Sequence, residues 1–319
     1  MQWTFVGPIA KSGIGQVMHK YAQLLGADYV TFYDQPPPPQ NKVFAFLIPQ
    51  PDTIETVIQK FKPEFIMTVC ETEPVHESYE ILLKNFPVVL VPSEFCKGVL
   101  ARQFPEYANR LRVFRHWPGV VVKTPPPKEP RPYTFYTIGN ALDHRKNIRM
   151  LVKAFIECGF HTKARLVIKA TCVQDFHLKI PNVLVINGLL NDDQMESIHN
   201  VCDCYVNCSS SEGVGMGAVE AAVRNKPVIV TDYGGLCEYV KTPFVISTEP
   251  VEVGVTDFMY QPHMKWGKPN KDDLVKHMKH CFESDIREWN HEHTRELTSA
   301  SVLRAEFAEL SLAFARSTV

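Results

Sequence analysis

Short runs of β-branched and aromatic residues alternate with amphipathic stretches of helical period along the chain. This alternation predicts βαβ units and parallel sheets, because each amphipathic helix can cover an apolar face of a sheet. The runs fall into two series. Strands of the first series are predicted at residues 3–7, 28–33, 43–47, 65–69, 88–91 and 111–114, with helices around 14–25, 52–61, 75–85 and 94–104.

The second series follows a proline-rich segment, residues 123–132, which is stiff and cannot join a central sheet. We therefore expect two Rossmann-like domains, residues 1–122 and 133–299, with this segment as the linker. Open parallel sheets bind ligands at the carboxyl ends of their strands, so a cleft between the domains is the expected binding place. The strands of the second series are predicted at 133–139, 164–169, 183–186, 202–206, 227–230 and 244–246, before helical periodicity over 270–316.

The most informative local pattern is CSSSEGVGMGAVE, residues 208–220, which follows a predicted strand. Its glycines would let backbone N–H groups approach an anion, and a helix beginning near Met216 would direct its positive end to the same place. At about 1.5 Å rise per residue, Glu212 and Glu220 would lie roughly 10 Å apart, too far to share a proton. This layout favours a long ligand with phosphate in the middle and hydroxyl groups at both ends, as in a nucleotide sugar.

The run SEGVGMGAVEAAVRNKPVIVTDYGGLCEYV, residues 211–240, resembles the glutamate-x7-glutamate signature of retaining glycosyltransferases with the GT-B fold. The resemblance includes both glutamates, the glycines between them, the next strand and the DYGGLCE turn. It implies an α/β fold of the GT-B type, with two Rossmann-like domains facing each other across a cleft. Residues 1–122 would then bind the acceptor and 133–299 the nucleotide-sugar donor, and a helix at about 300–319 would cross back to the first domain.

The resemblance also implies roles for single residues of the second domain. Glu212 would face hydroxyls of the donor sugar, Glu220 would hold the ribose, and Lys146 would offset the diphosphate charge. Arg145 is the candidate for a second cation, because the family often has arginine where this chain has Asn140. The remaining implied donor residues are Asn140 itself, Leu189 and Leu190 against the nucleobase, and Gly213, Val214, Gly215, Met216 and Gly217 at the helix start.

The first domain contains two further candidate loops. Gly13 and Gly15 follow the first strand, where a glycine-rich turn into a helix can hold an anion, and the resemblance places this loop at the donor phosphates and the acceptor. Glu71 and His76 follow a strand of buried type, where related transferases have a glutamate-threonine pair near the acceptor. Both are candidates for acceptor contacts; a diphosphate contact and a plain surface role are the alternatives for His76.

Charge and cysteine content exclude several classes of protein. With 34 Lys and Arg against 35 Asp and Glu, the net charge of −1 gives no electrostatic footprint for nucleic acid. No apolar run approaches about 18 residues and the N-terminus lacks a signal-peptide layout, so we expect a cytoplasmic protein without a transmembrane segment; peripheral membrane contact stays open. Of the nine cysteines, most lie in apolar runs and are expected to be reduced, buried thiols. Cys202 and Cys204 could share a strand face, but core packing is favoured over metal binding.

Together these patterns predict a metal-independent, retaining glycosyltransferase, a hexosyl- or pentosyltransferase of glycan or glycoconjugate synthesis. It would need no cofactor, with a nucleoside diphosphate sugar as donor and a carbohydrate or glycoconjugate hydroxyl as acceptor. Two alternatives are a nucleotide-sugar epimerase or hydrolase on the same fold, and a non-catalytic module that binds a nucleotide sugar or carbohydrate. A Rossmann dehydrogenase is disfavoured, because the second strand ends without an acidic residue well placed to bind a nicotinamide ribose.

Overall fold

The structure, a computed structural model, describes residues 2–9, 12–119, 131–160, 162–171, 174–256 and 259–317. Most of the predicted linker lies outside these residues. The chain divides into two compact units. The first comprises Met1–Gly119, Glu252–Lys265 and Glu296–Val319, and the second comprises Val120–Val251 and Trp266–Arg295.

The secondary structure consists of strands and helices in alternation, with two 3-10 turns at Pro105–Arg110 and His144–Lys146. The strands are β1 (Trp3–Gly7), β2 (Asp28–Thr31), β3 (Lys42–Phe46), β4 (Phe65–Met67), β5 (Val89–Val91), β6 (Leu111–Val113), β7 (Tyr133–Gly139), β8 (Ala164–Ala170), β9 (Val183–Ile186), β10 (Cys204–Asn207), β11 (Val228–Thr231), β12 (Val245–Ile246), β13 (Thr248–Glu252) and β14 (Lys265–Pro269). The helices are α1 (Gly13–Leu25), α2 (Pro51–Phe61), α3 (Tyr79–Asn85), α4 (Glu94–Gln103), α5 (Ile148–Glu157), α6 (Asp192–Val201), α7 (Met216–Val223), α8 (Leu236–Tyr239), α9 (Lys271–Glu283), α10 (Glu292–Leu297) and α11 (Ala300–Ser317).

In the first unit, six parallel strands lie in the order β2-β1-β3-β4-β5-β6. β1 pairs with two strands, so that Thr4 lies opposite Asp28 on one side and Val43 on the other. The strand order reverses between β1 and β3, and sheets of this type bind ligands in the crevice at such a reversal. The loop after β1 leads into α1, which Ser12 caps by accepting a hydrogen bond from Gly15 N at 3.0 Å.

An aromatic cluster forms one part of the core of the first unit, apart from its larger cluster of mostly aliphatic residues. Phe307, on α11, is 5% exposed and stands among rings whose centroids lie 5.1–6.5 Å from its own. Arg304, on the same helix, donates from Nε to Leu24 O at 3.0 Å. A helix near the end of the chain therefore completes the core that the first strands begin. The rings around Phe307 belong to Trp3, Phe5, Phe44, Phe65 and Phe114.

In the second unit, six parallel strands lie in the order β12-β11-β10-β7-β8-β9. In chain order, β7, β8 and β9 extend to one side and β10, β11 and β12 to the other, the arrangement of dinucleotide-binding sheets. The order reverses between the neighbours β7 and β10. The loops that follow these two strands, residues 140–147 and 208–215, therefore meet at the carboxyl edge of the sheet.

All twelve predicted strands occur within two residues of their expected bounds, and those at 3–7, 133–139 and 183–186 have the predicted ends. Helix α3 begins at Tyr79 instead of residue 75, because the preceding loop bonds elsewhere: Val75 N donates to Gln103 Oε1 at 2.7 Å, and Ser78 Oγ donates to Pro49 O at 2.6 Å. Strands β13 and β14 have no counterpart in the sequence prediction. Their sequences, TEPVE and KWGKP, contain proline and charged residues that interrupt the alternation expected of strands.

We expect Phe307→Ala to lower the free energy of unfolding of the first unit by about 3–5 kcal/mol, because a cavity replaces a large buried ring. Urea unfolding followed by tryptophan fluorescence measures the change, since the Trp3 ring lies 5.1 Å from Phe307. Leu312→Ala, at a position 60% exposed on the same helix, is the control and should change it by less than about 0.5 kcal/mol. Equal effects of the two variants would contradict the role given to the aromatic cluster.

Candidate functional site

The carboxylate of Glu212 lies in the loop that follows β10, and the residue is only 5% exposed. Its Oε1 accepts hydrogen bonds from Lys146 Nζ and from Ser209 Oγ, the latter at 2.7 Å. Its Oε2 lies 3.0 Å from Arg145 Nη1. Two cations from the loop after β7 thus contact one acid from the loop after β10.

Two opposing effects set the pKa of Glu212. Burial is the largest single contribution and raises it, whereas the charges of Lys146 and Arg145, with hydrogen bonds from Lys146 and Ser209, lower it. The two charges and the hydrogen bonds together outweigh burial and lower the pKa of Glu212 to about 2. Glu212 is therefore an anion at neutral pH, which accepts hydrogen bonds and has no proton to give.

The loop after β7 is held by its own polar groups. Asp143 Oδ1 accepts a hydrogen bond from Arg145 N at 2.9 Å, and its Oδ2 lies 3.1 Å from Arg145 Nη2. Arg145 is 7% exposed and also donates to Ser211 O at 2.6 Å. With these partners Arg145 joins the two loops, whereas the side chain of Lys146 is 20% exposed and reaches solvent more easily.

Asn147 adds a link that the sequence prediction does not contain. Its backbone is left-handed, with φ of 52°, a conformation that asparagine tolerates better than most residues. Its Nδ2 donates to Cys208 O at 3.0 Å and to Ser210 Oγ at 2.9 Å. The RKN motif, which ends at Asn147, is a sequence signal for this role. Ser209 is the other residue that the sequence prediction missed, and the serine run around it contains no such signal.

Two glycines set the position of the Glu212 backbone and of the helix after it. Gly234 has φ of 92°, and a Cβ there would lie 2.5 Å from Glu212 O. The same oxygen accepts a hydrogen bond from Gly235 N at 2.8 Å. Gly215, with φ of 75°, is the N-cap of α7, which begins at Met216 as predicted. A side chain at Gly234 would therefore displace the Glu212 loop.

The backbone N–H groups of residues 213–217 surround the start of α7. Within the described part of the chain they donate to no other atom, as is usual for the first turn of a helix. These N–H groups and the positive end of α7 follow Glu212 in the loop after β10, and the Lys146 ammonium contacts Glu212 from the loop after β7. The arrangement suits an anionic ligand whose hydroxyl groups can also donate hydrogen bonds to Glu212.

Glu220 lies one turn into α7 and is partly buried. Its Oε2 is 3.9 Å from His199 Nε2, and its backbone oxygen accepts a hydrogen bond from Arg224 Nη1 at 2.7 Å. His199, which the sequence shows only as a lone histidine on a helix, is 2% exposed and also contacts Tyr136.

The other predicted donor residues of the second unit lie at its surface. Asn140 is exposed, and its Oδ1 accepts a hydrogen bond from Leu142 N at 3.1 Å, which closes its own turn. Leu189 is 58% exposed in the loop after β9, and Leu190 beside it is half-buried.

The predicted residues of the first unit lie at the start of α1 and in the loop after β4. Gly13 is the exposed first residue of α1, whereas Gly15 is buried where a Cβ would meet the backbone carbonyl of Ile9. Glu71 Oε2 accepts a hydrogen bond from Tyr260 Oη. His76 Nδ1 lies 2.8 Å from Ser78 Oγ. His76 also lines a cavity of about 330 Å³, together with Pro74, Val75, Glu77, Gln103, Gln261, His263 and Met264.

Among the residues that the structure describes, no three His, Cys, Asp or Glu side chains are grouped so that they could hold a metal ion. Cys202 follows the last residue of α6 and lies outside strand β10, so it does not share a strand face with Cys204. Burial raises the pKa of the Cys202 thiol to about 12. Over the same described ranges, no helix combines the length and the apolar character that crossing a bilayer requires.

Comparison with known families concerns the part of the chain that contains Lys146, Glu212 and Glu220. Residues 123–247 match the family described as glycosyl transferases group 1. The predicted resemblance to glycosyltransferases is therefore confirmed for the segment. A curated relative, an uncharacterized glycosyltransferase of Methanocaldococcus jannaschii, is 29% identical over 107 residues, which are 31% of this chain and only 27% of the relative.

Solved structures of glycosyltransferases have the same fold as this chain. Sucrose-phosphate synthase from Thermosynechococcus elongatus superposes with a TM-score of 0.64 at 12% identity, over 99% of this chain and 100% of that one. A glycosyltransferase from Rickettsia africae gives 0.60 at 13% identity, over 98% of both chains. The pneumococcal O-GlcNAc transferase GtfA, solved with UDP and GlcNAc, gives 0.59 at 16% identity, over 85% of this chain and 57% of that one. These likenesses confirm the GT-B fold.

We expect Glu212→Gln to destabilise the second unit at pH 7 by about 3 kcal/mol, because it removes a buried anionic partner of Lys146 and Arg145. A carboxyl group whose pKa is lowered from 4.5 to about 2 stabilises the fold above pH 4.5, and this contribution is lost as the pH falls through about 2. The difference in the free energy of unfolding between the parent protein and the variant should therefore shrink as the pH falls from 4.5 to about 2. Urea unfolding at a series of pH values measures it.

Glu249→Gln is the control for this experiment, because Glu249 forms an ion pair with Lys268 in which both side chains are largely exposed. Such a pair contributes about 0–1 kcal/mol, so the free energy of unfolding of the control should differ little from that of the parent protein. A Glu212→Gln effect that does not change with pH would contradict the ion-pair explanation.

Proposed function

We propose that the chain is a retaining glycosyltransferase that moves a hexose or pentose from a nucleoside diphosphate sugar to a carbohydrate or glycoconjugate hydroxyl, in glycan or glycoconjugate synthesis. The observation that carries the proposal is the buried contact of Glu212 with Lys146 and Arg145, on the loop that leads to the N–H groups at the start of α7. Cations and N–H dipoles beside an accepting carboxylate match a phosphate next to a polyhydroxylated ring. The group 1 segment supports this class of reaction.

In the proposed complex, the diphosphate binds between Lys146 and the N–H groups of residues 213–217. Departure of the nucleoside diphosphate puts negative charge on its phosphate oxygens, and donors already in place there lower the energy of the transition state. The diphosphate competes with Glu212 for the Lys146 ammonium. Glu212 keeps its contacts with Ser209 and Arg145 and accepts hydrogen bonds from the donor sugar.

Glu212 is a poor candidate for a covalent nucleophile, because two cations and a hydroxyl already offset its charge. We therefore propose front-face substitution, in which the departing phosphate helps to deprotonate the acceptor hydroxyl and the configuration of the sugar is retained. Lys146, with Arg145 behind it, takes the part that a divalent metal has in other transferases. Asn140, Leu189 and Leu190 would contact the donor nucleotide.

We assign acceptor contacts to Glu71 and His76 in the first unit, and phosphate or acceptor contacts to the loop of Gly13 and Gly15. The cavity beside His76 supports this assignment. Its volume of about 330 Å³ suits a ligand the size of one or two sugar rings, and its imidazole and amide groups can bind hydroxyls.

A thermal-shift screen against UDP-, GDP-, ADP- and dTDP-sugars tests the donor site. We expect one base class to stabilise the protein selectively, by about 2.7 kcal/mol at a concentration of 100 times its Kd. Lys146→Ala should weaken donor binding at least about tenfold through loss of a charge-assisted hydrogen bond. Lys153→Ala, an exposed lysine on α5, should bind the donor like the parent protein. Stabilisation by none of the four classes would contradict the donor site.

Product analysis with the stabilising donor, in the presence and absence of a mixed oligosaccharide acceptor, tests the reaction. We expect a transfer product that keeps the donor's anomeric configuration, and His76→Ala should lower transfer about tenfold or more while the donor Kd stays nearly unchanged. Free sugar whether or not acceptor is present indicates a hydrolase, and an altered sugar on the nucleotide indicates an epimerase. Donor binding without turnover indicates a binding module, and each of these three results would overturn the proposal.

A further inference from the structure

The cavity of about 330 Å³ in the first unit has two walls that come from distant parts of the chain. One wall follows β4 and includes His76 and Glu77, with Gln103 from the end of α4. The other wall comes from the segment between β13 and β14, residues 253–264, which follows the whole sheet of the second unit along the chain. The sequence prediction does not contain this second wall, which consists of Gln261, His263 and Met264.

Backbone hydrogen bonds and core packing join the second wall to the first unit. Glu73 N donates to Lys265 O at 3.0 Å, and Lys265 N donates to Glu73 O at 2.9 Å, which forms an antiparallel bridge directly after the segment. Met264 is 1% exposed, and Met259 belongs to the larger, mostly aliphatic core cluster of the unit. The segment is therefore held beside the loop after β4.

The first wall is ordered by hydrogen bonds of its own. Gln103 Oε1 accepts a hydrogen bond from Val75 N at 2.7 Å, and Gln103 Nε2 donates to Val75 O at 3.0 Å, so most of this amide is used within the wall. His76 Nδ1 lies 2.8 Å from Ser78 Oγ, which fixes the ring through one nitrogen. Among the described residues nothing binds the other ring nitrogen, Nε2, which is left for a ligand.

The charge around the cavity has one sign. Among the described residues that line it, Glu77 is the one carboxylate, and none is lysine or arginine. Arg102, next to Gln103 in the chain, donates from Nε to Glu73 Oε1 at 2.7 Å. Sites for phosphates and carboxylates normally supply guanidinium or ammonium groups, whereas imidazole, amide and carboxylate groups all form hydrogen bonds with hydroxyls. An anionic ligand would therefore be repelled by Glu77, with no lysine or arginine in this lining to offset the repulsion.

We propose that this cavity binds an uncharged sugar unit of the acceptor, and that Gln261 and His263 are specificity-determining residues that bind its hydroxyls. Glu77 accepts hydrogen bonds from the same sugar and excludes phosphorylated and carboxylated sugars, because its charge repels theirs. The inference rests on the proposed function, because it takes the cavity beside His76 as the acceptor site.

The test measures which acceptors the protein uses with the donor that the thermal-shift screen selects. The probe is an equimolar mixture of neutral oligosaccharides and the same oligosaccharides with a phosphate on the terminal sugar. Anion exchange separates the two classes of transfer product, and mass spectrometry identifies them. We expect the neutral members to be used at least about tenfold more than the phosphorylated ones, because like charges in contact are strongly unfavourable.

Glu77→Lys should raise the phosphorylated share of the products about tenfold or more, because an ammonium group then replaces the repelling carboxylate and can donate to the phosphate. Glu55→Lys is the matched control. Glu55 is exposed on α2 of the same unit and does not line the cavity, and its replacement changes the net charge by the same amount. This control should keep the phosphorylated share of the parent protein.

Gln261→Ala and His263→Ala should each raise the KM for the neutral acceptor about three- to tenfold, because each variant removes a hydrogen bond to a sugar hydroxyl. The effect on the acceptor KM should exceed the effect on kcat, and the donor Kd should stay nearly unchanged. This split is expected of residues that bind the acceptor, whereas general loosening of the unit would change all three quantities.

Failure of the inference can be told apart from failure of the proposed function. If the parent protein transfers sugar mainly to phosphorylated members, or if Glu77→Lys and both variants of the second wall behave like the parent protein, the inference is overturned and the function stands. An equal shift in Glu55→Lys and Glu77→Lys would show that net charge acts in place of the cavity, and would also overturn it. If the donor binds and no member of the mixture is glycosylated, the proposed function is wrong and the inference falls with it.

Discussion

The site depends on the stability of one buried negative charge. Removing a carboxylate from water costs several kcal/mol unless partners of opposite charge and hydrogen-bond donors replace the solvent. Glu212 has both kinds of partner, in Lys146, Arg145 and Ser209. These partners come from the loops after β7 and β10, so the charge is tolerated only where the two loops are held together. The contacts of Asn147 and the close approach of Gly234 hold the loops in this position.

The strand order explains why these loops meet at all. In the second unit β7 and β10 are neighbours in the sheet although two strands separate them along the chain, so their connections leave in opposite directions and open a crevice. The first unit reverses between β1 and β3 instead, which puts its glycine loop at an equivalent kind of edge. One fold class thus provides two edges with different chemistry, and the side chains determine what each can bind.

Local patterns predicted the fold well and the site only in part. Buried parallel strands such as β5 and β11 are nearly continuous apolar runs, and the start of α7 follows from its glycines, so these elements were visible in the sequence. Strands β13 and β14 were not, because proline and charge interrupt their pattern. The residues Glu212, Lys146 and Arg145 were each singled out, but not their mutual contact, nor the hydrogen bonds of Ser209 and Asn147. Such pairings join distant parts of the chain, and no local spacing encodes them.

The place of Phe307 has a consequence for biosynthesis. The ring stands among residues that precede the second unit along the chain, whereas its own helix is made after the whole sheet of that unit. Domains tend to fold as the ribosome releases them, and unfinished apolar surface is prone to aggregation. The strands of the first unit therefore keep these aromatic side chains uncovered until α11 emerges from the ribosome. The second unit can reach its final packing earlier, so the order of completion is the reverse of the order in which the two sheets are synthesised.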